Sequence, residues 1–325
     1  MRLLAALAVL IAFVPQGATS NRDRAVSLLQ AVQKGLAEPR TDARDARLEG
    51  LVTELDALPD ADALEQKFTA HQRMGAFYRS ADVDTGIVKH STWIIDTAKR
   101  ITPDQRTKYA SAIVSAYMNM AQAWAGRGET DRAIALLRRV ATDVPDIPSA
   151  PRSVRPLLDR LQLVGTPAAA LTAKRWLNMP AGQTTLEMKG HVTLLEFSAH
   201  WCVPCKVSYP TLVWLREKFG RQGFRVVLAT ELYGFFERET QLGADLEVAR
   251  NRAYYAAEHM NVPVAIAEGV HSQDDDPNQL NYKVGGIPQI QLIDRRGVIR
   301  LMMFGFDKSN EPTLSKLVEG LLTEK

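Results

Sequence analysis

The sequence predicts an all-α N-terminal domain followed by an α/β domain whose mixed sheet carries helices on both faces. Three observations lead there. Apolar residues recur at three- and four-residue spacing from Asn21 to about Leu163, the period of a buried helix face. Beyond Gly165-Thr166-Pro167 the period changes, and strand-like runs alternate with helical ones before a closing hairpin and helix. The chain has 325 residues, more than one core usually organises, so two folded units are expected once a targeting segment is set aside. The predicted boundaries are 1–20 for that segment, 21–164 for the helical domain and 165–325 for the α/β domain.

At the N-terminus Arg2 precedes an apolar run from Leu3 to Val14, which gives way to Pro15-Gln16-Gly17-Ala18-Thr19-Ser20. A charged start, a short apolar stretch and small residues after it read as a signal peptide, and the run is too short for the ~20 residues of a membrane-spanning helix. Export to a periplasm or the extracellular space, as a soluble protein after cleavage, is the expectation. The alternative is an uncleaved anchor or a buried helix.

Within the helical domain, 48–58, 64–77, 87–98, 109–124 and 133–140 each carry one apolar face, and Pro59, Pro103 and Gly126-Arg127-Gly128 separate some of them. Tyr117, Met120, Ala121, Trp124, Gly128, Ala133, Leu137 and Pro145 fall close to the pattern of one tetratricopeptide unit, although any closely packed helix pair gives a similar match. Such a domain is a candidate for docking a partner protein. Pro145, Pro148, Pro151 and Pro156, followed by Gly165-Thr166-Pro167, mark the expected hinge. In the second domain the expected elements are strand 192–197, helix 205–219, strand 224–230, helix 246–260, strands 262–266, 289–293 and 298–304, and helix 313–322.

Composition removes several function classes. A net charge of +3 with interspersed basic residues and no Lys/Arg block gives no footprint for nucleic acid. With 46% hydrophobic and 24% charged residues, the chain is neither disordered nor a membrane bundle. It has two cysteines, Cys202 and Cys205, three positions apart. A bridge across so small a loop removes little entropy from the unfolded chain, so chemistry explains the pair better than stability does.

Trp201-Cys202-Val203-Pro204-Cys205 lies between a strand and a helix, which places Cys202 at a helix N-terminus. Backbone N–H groups and the positive end of the helix dipole favour a thiolate there, and Cys205, one turn on, is expected to be more buried and to resolve the mixed disulfide formed on Cys202. The competing explanation, half of a zinc site, lacks partners: no second Cys-x-x-Cys and no closely spaced pair occurs among His71, His90, His191, His200, His259 and His271. No metal and no cofactor is implied. The acidic stretch from His271 to Asp276 reads as a solvated loop and Lys189-Gly190 as a turn. Lys206 and His200 flank the pair, either as cations favouring the thiolate or as solvated side chains.

From about Gly165 to Leu322 the sequence resembles the TlpA/ResA-like thioredoxin-fold reductases. Gly165-Thr166-Pro167 is similar to their lead-in segment, residues 192–205 to their strand and active-site loop, Tyr209-Pro210 to the proline within their first helix, Gly286-Ile287-Pro288 to their cis-proline loop, and residues 293–299 to their closing hairpin. The resemblance implies a thioredoxin-like fold in which Ile287 and Pro288 face the disulfide and, with Trp201, contact the substrate chain. It also implies that Glu196 matches the buried acid of thioredoxin, which relays a proton to the resolving cysteine; burial would raise its pKa. The alternatives are an outward-facing glutamate on its strand, a core tryptophan and an ordinary strand-opening turn. Many relatives carry a glutamate where this chain has Ser208, which shifts the proton-transfer role toward Glu196.

The expected function is that of an exported thiol:disulfide oxidoreductase, a dithiol reductase of exported proteins that bear disulfides, recharged by an electron-donating thiol protein. Two alternatives stand beside it. The stretch from Phe235 to Met260 is similar to an insertion seen across the wider redoxin superfamily, which admits a peroxiredoxin-type peroxidase, although the Trp-Cys-x-x-Cys pattern argues against that. A redox-sensing binding module, its helical domain holding a partner, is the other.

Overall fold

The structure is a computed structural model that describes residues 20–80, 84–267, 276–306 and 308–324. The predicted signal segment apart from Ser20, and the acidic loop apart from Asp276, lie outside the described residues. By compactness the chain falls into two units, one ending at Ala70 and one beginning at His71.

The first unit holds α1 (Asn21–Leu36), α2 (Asp42–Asp56) and the start of α3 (Asp60–Ser80). Ser20 and Thr41 begin the first two helices by accepting hydrogen bonds from the backbone N–H of Asp23 and Arg44, both 3.1 Å. Ala25, Leu28 and Val32 of α1 and Leu48, Val52 and Leu55 of α2 form buried stripes at helical spacing. Gly35 sets how closely the two helices meet, since a Cβ there would lie 2.5 Å from Leu48 Cδ2.

In the second unit α4 (Asp84–Ala98), α5 (Pro103–Lys108), α6 (Ala110–Gly126), α7 (Thr130–Asp143) and α8 (Ala150–Leu161) come first. α6 is rich in alanine and buried on most sides, and it packs against α4, α7 and α8. The segment expected to be a hinge is largely α8. Pro151 sits in its first turn, where the missing N–H has no helical acceptor to lose, and Pro156 lies inside it. An interior proline costs ~3 kcal/mol. Val154, Leu157 and Leu161 are buried along one face, at roughly 1.5–3 kcal/mol each, which is enough to hold the helix in spite of it.

After α8 come the short strands β1 (Leu171–Thr172), β2 (Arg175–Leu177) and β3 (Thr185–Leu186), then β4 (Val192–Phe197), α9 (Val203–Phe219), β5 (Phe224–Glu231), the small ribbon β6 (Phe235–Phe236) and β7 (Glu239–Thr240), α10 (Ala244–Ala257), β8 (Val264–Ala267), α11 (Pro277–Asn281), β9 (Gln289–Ile293), β10 (Ile299–Phe304) and α12 (Glu311–Thr323). Six strands make one mixed sheet in the order β10-β9-β4-β5-β8-β2. β4 runs parallel to β5 and antiparallel to β9, and β5 is parallel to β8. α6 also packs against β10.

All six residues of β4 are buried, as expected for a central strand covered on both faces. Leu194 joins a core with Tyr209, Leu212 and Leu215 of α9 and Leu314 and Val318 of α12. Leu195 and Phe197 join the other core, with Leu171, Leu186 and Tyr282. The strand's two-residue period therefore puts Glu196 on the same side as Leu194, toward α9.

Candidate active site

β4 ends at Phe197, and five residues, 198–202, lead from it into α9. Cys202 occupies the N-cap of that helix in an extended conformation (φ −77°, ψ 96°), and its Sγ accepts a hydrogen bond from the backbone N–H of Cys205 at 3.2 Å. A sulfur thus takes the place usually held by a serine or aspartate oxygen. Val203 and Pro204 supply the first turn, and Pro204 needs no N–H there. Cys202 and Cys205 are joined as a disulfide with a Cα–Cα distance of 5.2 Å. Cys205 is fully buried and Cys202 retains 2% of its surface. Once the bridge is reduced, this position gives a thiolate on Cys202 one N–H donor and the favourable end of the helix dipole.

Glu196 lies beneath the pair, between Leu228 of β5 and Ile290 of β9 in the strand register, with no exposed surface. Burial pushes its carboxyl from 4.5 up to about 8, against the opposing pull of hydrogen bonds from Ser208 and Ser198. Ser208 Oγ is 2.6 Å from Glu196 Oε2 and 2.7 Å from the carbonyl oxygen of Cys205. The hydroxyl has one hydrogen, and a carbonyl only accepts. Both contacts are hydrogen bonds at once when Glu196 is protonated: the carboxyl donates to Ser208, which donates to Cys205. If Glu196 ionises, Ser208 must turn its hydrogen to the carboxylate and release the carbonyl. The buried acid therefore reaches the turn of Cys205 through a hydroxyl. Glu196 Oε1 is buried with no hydrogen-bond partner among the described residues, a further cost to the ionised form.

The residues around the mouth divide into two groups. Trp201 is 47% exposed and meets Tyr233 edge-on, with ring centroids 5.4 Å apart, so it belongs to the surface rather than the core. His200 is buried, stacked on Phe236 at 4.6 Å and edge-on to Phe235 at 5.3 Å. Burial pushes its imidazole pKa down and the charge of Lys206 adds to this, against a hydrogen bond with the Phe235 backbone. Burial thus favours the uncharged ring, which packs within the aromatic loop. Lys206 is exposed and lies over the Tyr254 ring at 5.0 Å. The aromatic loop is fixed from beneath by buried Glu247, whose two carboxylate oxygens accept from the N–H groups of Tyr233 and Gly234 at 2.7 and 2.8 Å.

On the other side, Ile287 and Pro288 share a groove with Val203 and Pro204, and the Ile287–Pro288 peptide bond is cis. The structure thus brings Cys202, Cys205, Glu196, Ile287 and Pro288 to one end of α9, with Trp201 on the opposite rim. Sequence reasoning missed Glu247, whose only signal is a carboxylate in a helix's first turn. It also passed over Ser198, whose hydroxyl is 2.8 Å from that of buried Tyr209. Ser208 was noted there only as a missing glutamate. Among the described residues, no group of three or more His, Cys, Asp or Glu side chains is placed to hold a metal ion.

Fold and site together set a cysteine pair at a helix N-terminus, with an acid buried beneath and a cis-proline loop alongside, an arrangement able to exchange a dithiol for a disulfide. No family model and no curated protein matches the chain. Among solved structures it is similar to a thiol-disulfide isomerase from Corynebacterium glutamicum (21% identity, TM-score 0.39, covering 49% of this chain and 97% of that one). It is also similar to the thioredoxin-like superfamily protein SPOA0173 (22%, 0.39, 49% and 97%) and to a thiol:disulfide interchange protein of the thioredoxin family from Chlorobium tepidum (18%, 0.36, 49% and 97%). Similarity this remote adds nothing to the chemistry, which follows from the geometry already described.

Proposed function

We propose that the protein is an exported dithiol reductase of protein disulfides. One observation carries this most: the Cys202 sulfur is the N-cap of α9, accepting from the N–H of Cys205, while a protonated Glu196 reaches the Cys205 turn through Ser208. In the reduced protein the Cys202 thiolate attacks one sulfur of a substrate disulfide, forming a mixed disulfide and releasing the other sulfur as a thiolate, which takes a proton from solvent. Glu196 first releases its own proton to solvent; its carboxylate then accepts the proton of Cys205, and the Cys205 thiolate attacks the Cys202 sulfur. The second substrate thiol leaves and the Cys202–Cys205 bridge remains, two electrons having passed to the substrate. A thiol protein returns the electrons by the reverse exchange. Trp201, Ile287 and Pro288 contact the substrate chain around the mixed disulfide.

Export is supported by the apolar N-terminal run and by the lack of any cysteine beyond the pair. Among the described residues no helix is long and apolar enough to cross a membrane. The helices before the thioredoxin-like part, including the tetratricopeptide-like pair α6 and α7, are the candidate surface for a partner.

The test has two parts. The reduced protein, supplied with a thiol donor, reduces the interchain disulfides of insulin, and loss of both cysteines abolishes this; no reduction by the intact pair would refute the proposal. Equilibration against a glutathione series sets the direction, a reductant falling nearer about −270 mV and an oxidant nearer about −120 mV.

A further inference from the structure

The groove beside Pro288 has a second wall that the chemistry does not use. One side is formed by Val203 and Pro204, the first helical residues after the nucleophile, with Ile287 and Pro288. The opposite side comes from the preceding helices: Ile87 of α4, and Asn119 and Gln122 of α6. Met303 and Phe304 of β10, against which α6 packs, lie between them. The cavity measures about 630 Å³, within the range that encloses a ligand of a few residues and far too small for a folded surface.

We propose that this groove holds an extended stretch of the substrate polypeptide on one side of the cysteine captured by Cys202, and that Asn119 and Gln122 of α6 help to select it. The inference rests on the proposed dithiol exchange and adds a helical recognition wall to it. Two observations favour polypeptide as the occupant. The groove starts at the residue following the nucleophile, so a chain joined to Cys202 through its own cysteine runs directly into it. Apolar side chains (Val203, Val207, Ile287, Met303, Phe304) face side-chain amides, and amides can both donate to and accept from a peptide backbone.

The experiment compares three disulfides with the full-length protein: insulin, oxidised glutathione and bis(2-hydroxyethyl) disulfide. Gln122→Trp fills the groove from the helical wall, and Gln122→Ala removes the amide with little risk to folding. The expected result is a KM for insulin raised about tenfold by Gln122→Trp, equivalent to ~1.4 kcal/mol of binding, and raised less by Gln122→Ala. Turnover of bis(2-hydroxyethyl) disulfide and of oxidised glutathione stays at the wild-type level. The inference is overturned if insulin kinetics are unchanged in both variants, if all three substrates are affected alike, or if oxidised glutathione is lost as strongly as insulin. A wild-type protein that reduces none of the three removes the underlying exchange reaction instead, a different outcome from any of these.

Discussion

Replacing Glu196 by glutamine should stabilise the protein at neutral pH while slowing its chemistry. In the unfolded chain this carboxyl loses its proton near 4.5, whereas in the fold burial holds it until about 8. Between those values the folded state binds one proton more than the unfolded state, so stability is greatest below the lower value and falls as pH rises toward the upper one. At roughly 1.4 kcal/mol per pH unit, the loss reaches on the order of 3 kcal/mol by neutrality and 5 kcal/mol above pH 8. Against the 5–15 kcal/mol of a typical domain this is a large fraction. Glutamine has the same shape and no charge at any pH, so Glu196→Gln removes this slope and leaves the other titrations in place. Urea unfolding of the oxidised proteins from about pH 5 to about pH 9 gives the difference between variant and wild type. The difference should grow with pH through this window and level off near 8. A difference that stays constant across the range would show that Glu196 titrates in the fold as it does in water, and the proton-holding role argued from Ser208 would fail with it.

Further expectations concern the neighbours of the pair and the helices. Ser208→Ala removes the hydroxyl between Glu196 and the Cys205 carbonyl; about 1 kcal/mol of stability is lost, and the pH profile of the resolution step, followed by stopped-flow tryptophan fluorescence, shifts relative to wild type. Glu247→Ala frees the N–H groups of Tyr233 and Gly234, so hydrogen exchange in 233–236 rises while the Cys202–Cys205 bridge still forms. Gly86→Ala drives a methyl group into the Tyr78 ring and lowers the melting temperature, at a cost of roughly 1–3 kcal/mol. The same change at Gly50, exposed in the middle of α2 with nothing near the added carbon, raises stability by up to about 1 kcal/mol, and unchanged melting in both variants would contradict the packing described.

Much of this site is local in sequence, which is why it was legible. Cys-Val-Pro-Cys after a run of apolar β residues states its own position, since strand, turn and helix start all fall within 14 residues, 192–205, and the two-residue period of β4 determines which way Glu196 faces. Ile287-Pro288 was readable for a similar reason, as a proline cannot donate to the strand it opens. What escaped was either long-range or a conflict between local and tertiary preference. The prolines of α8 speak against a helix until the buried stripe of Val154, Leu157 and Leu161 is set beside them. The groove wall at Asn119 and Gln122 depends on α6 meeting β10, some 180 positions further on, and no local pattern announces that contact. His200 reads from sequence as either a cation beside the thiolate or a solvated side chain; the aromatic loop that buries it comes more than thirty residues later.

The assignment of roles within the pair can be tested by trapping. A Cys205→Ser protein, mixed with native insulin at neutral pH and then alkylated, should carry an insulin chain linked through Cys202, identified by peptide mass mapping, while a Cys202→Ser protein carries none. No adduct on Cys202, or equal capture through Cys205 alone, would contradict the account of a helix-capping nucleophile resolved from one turn below.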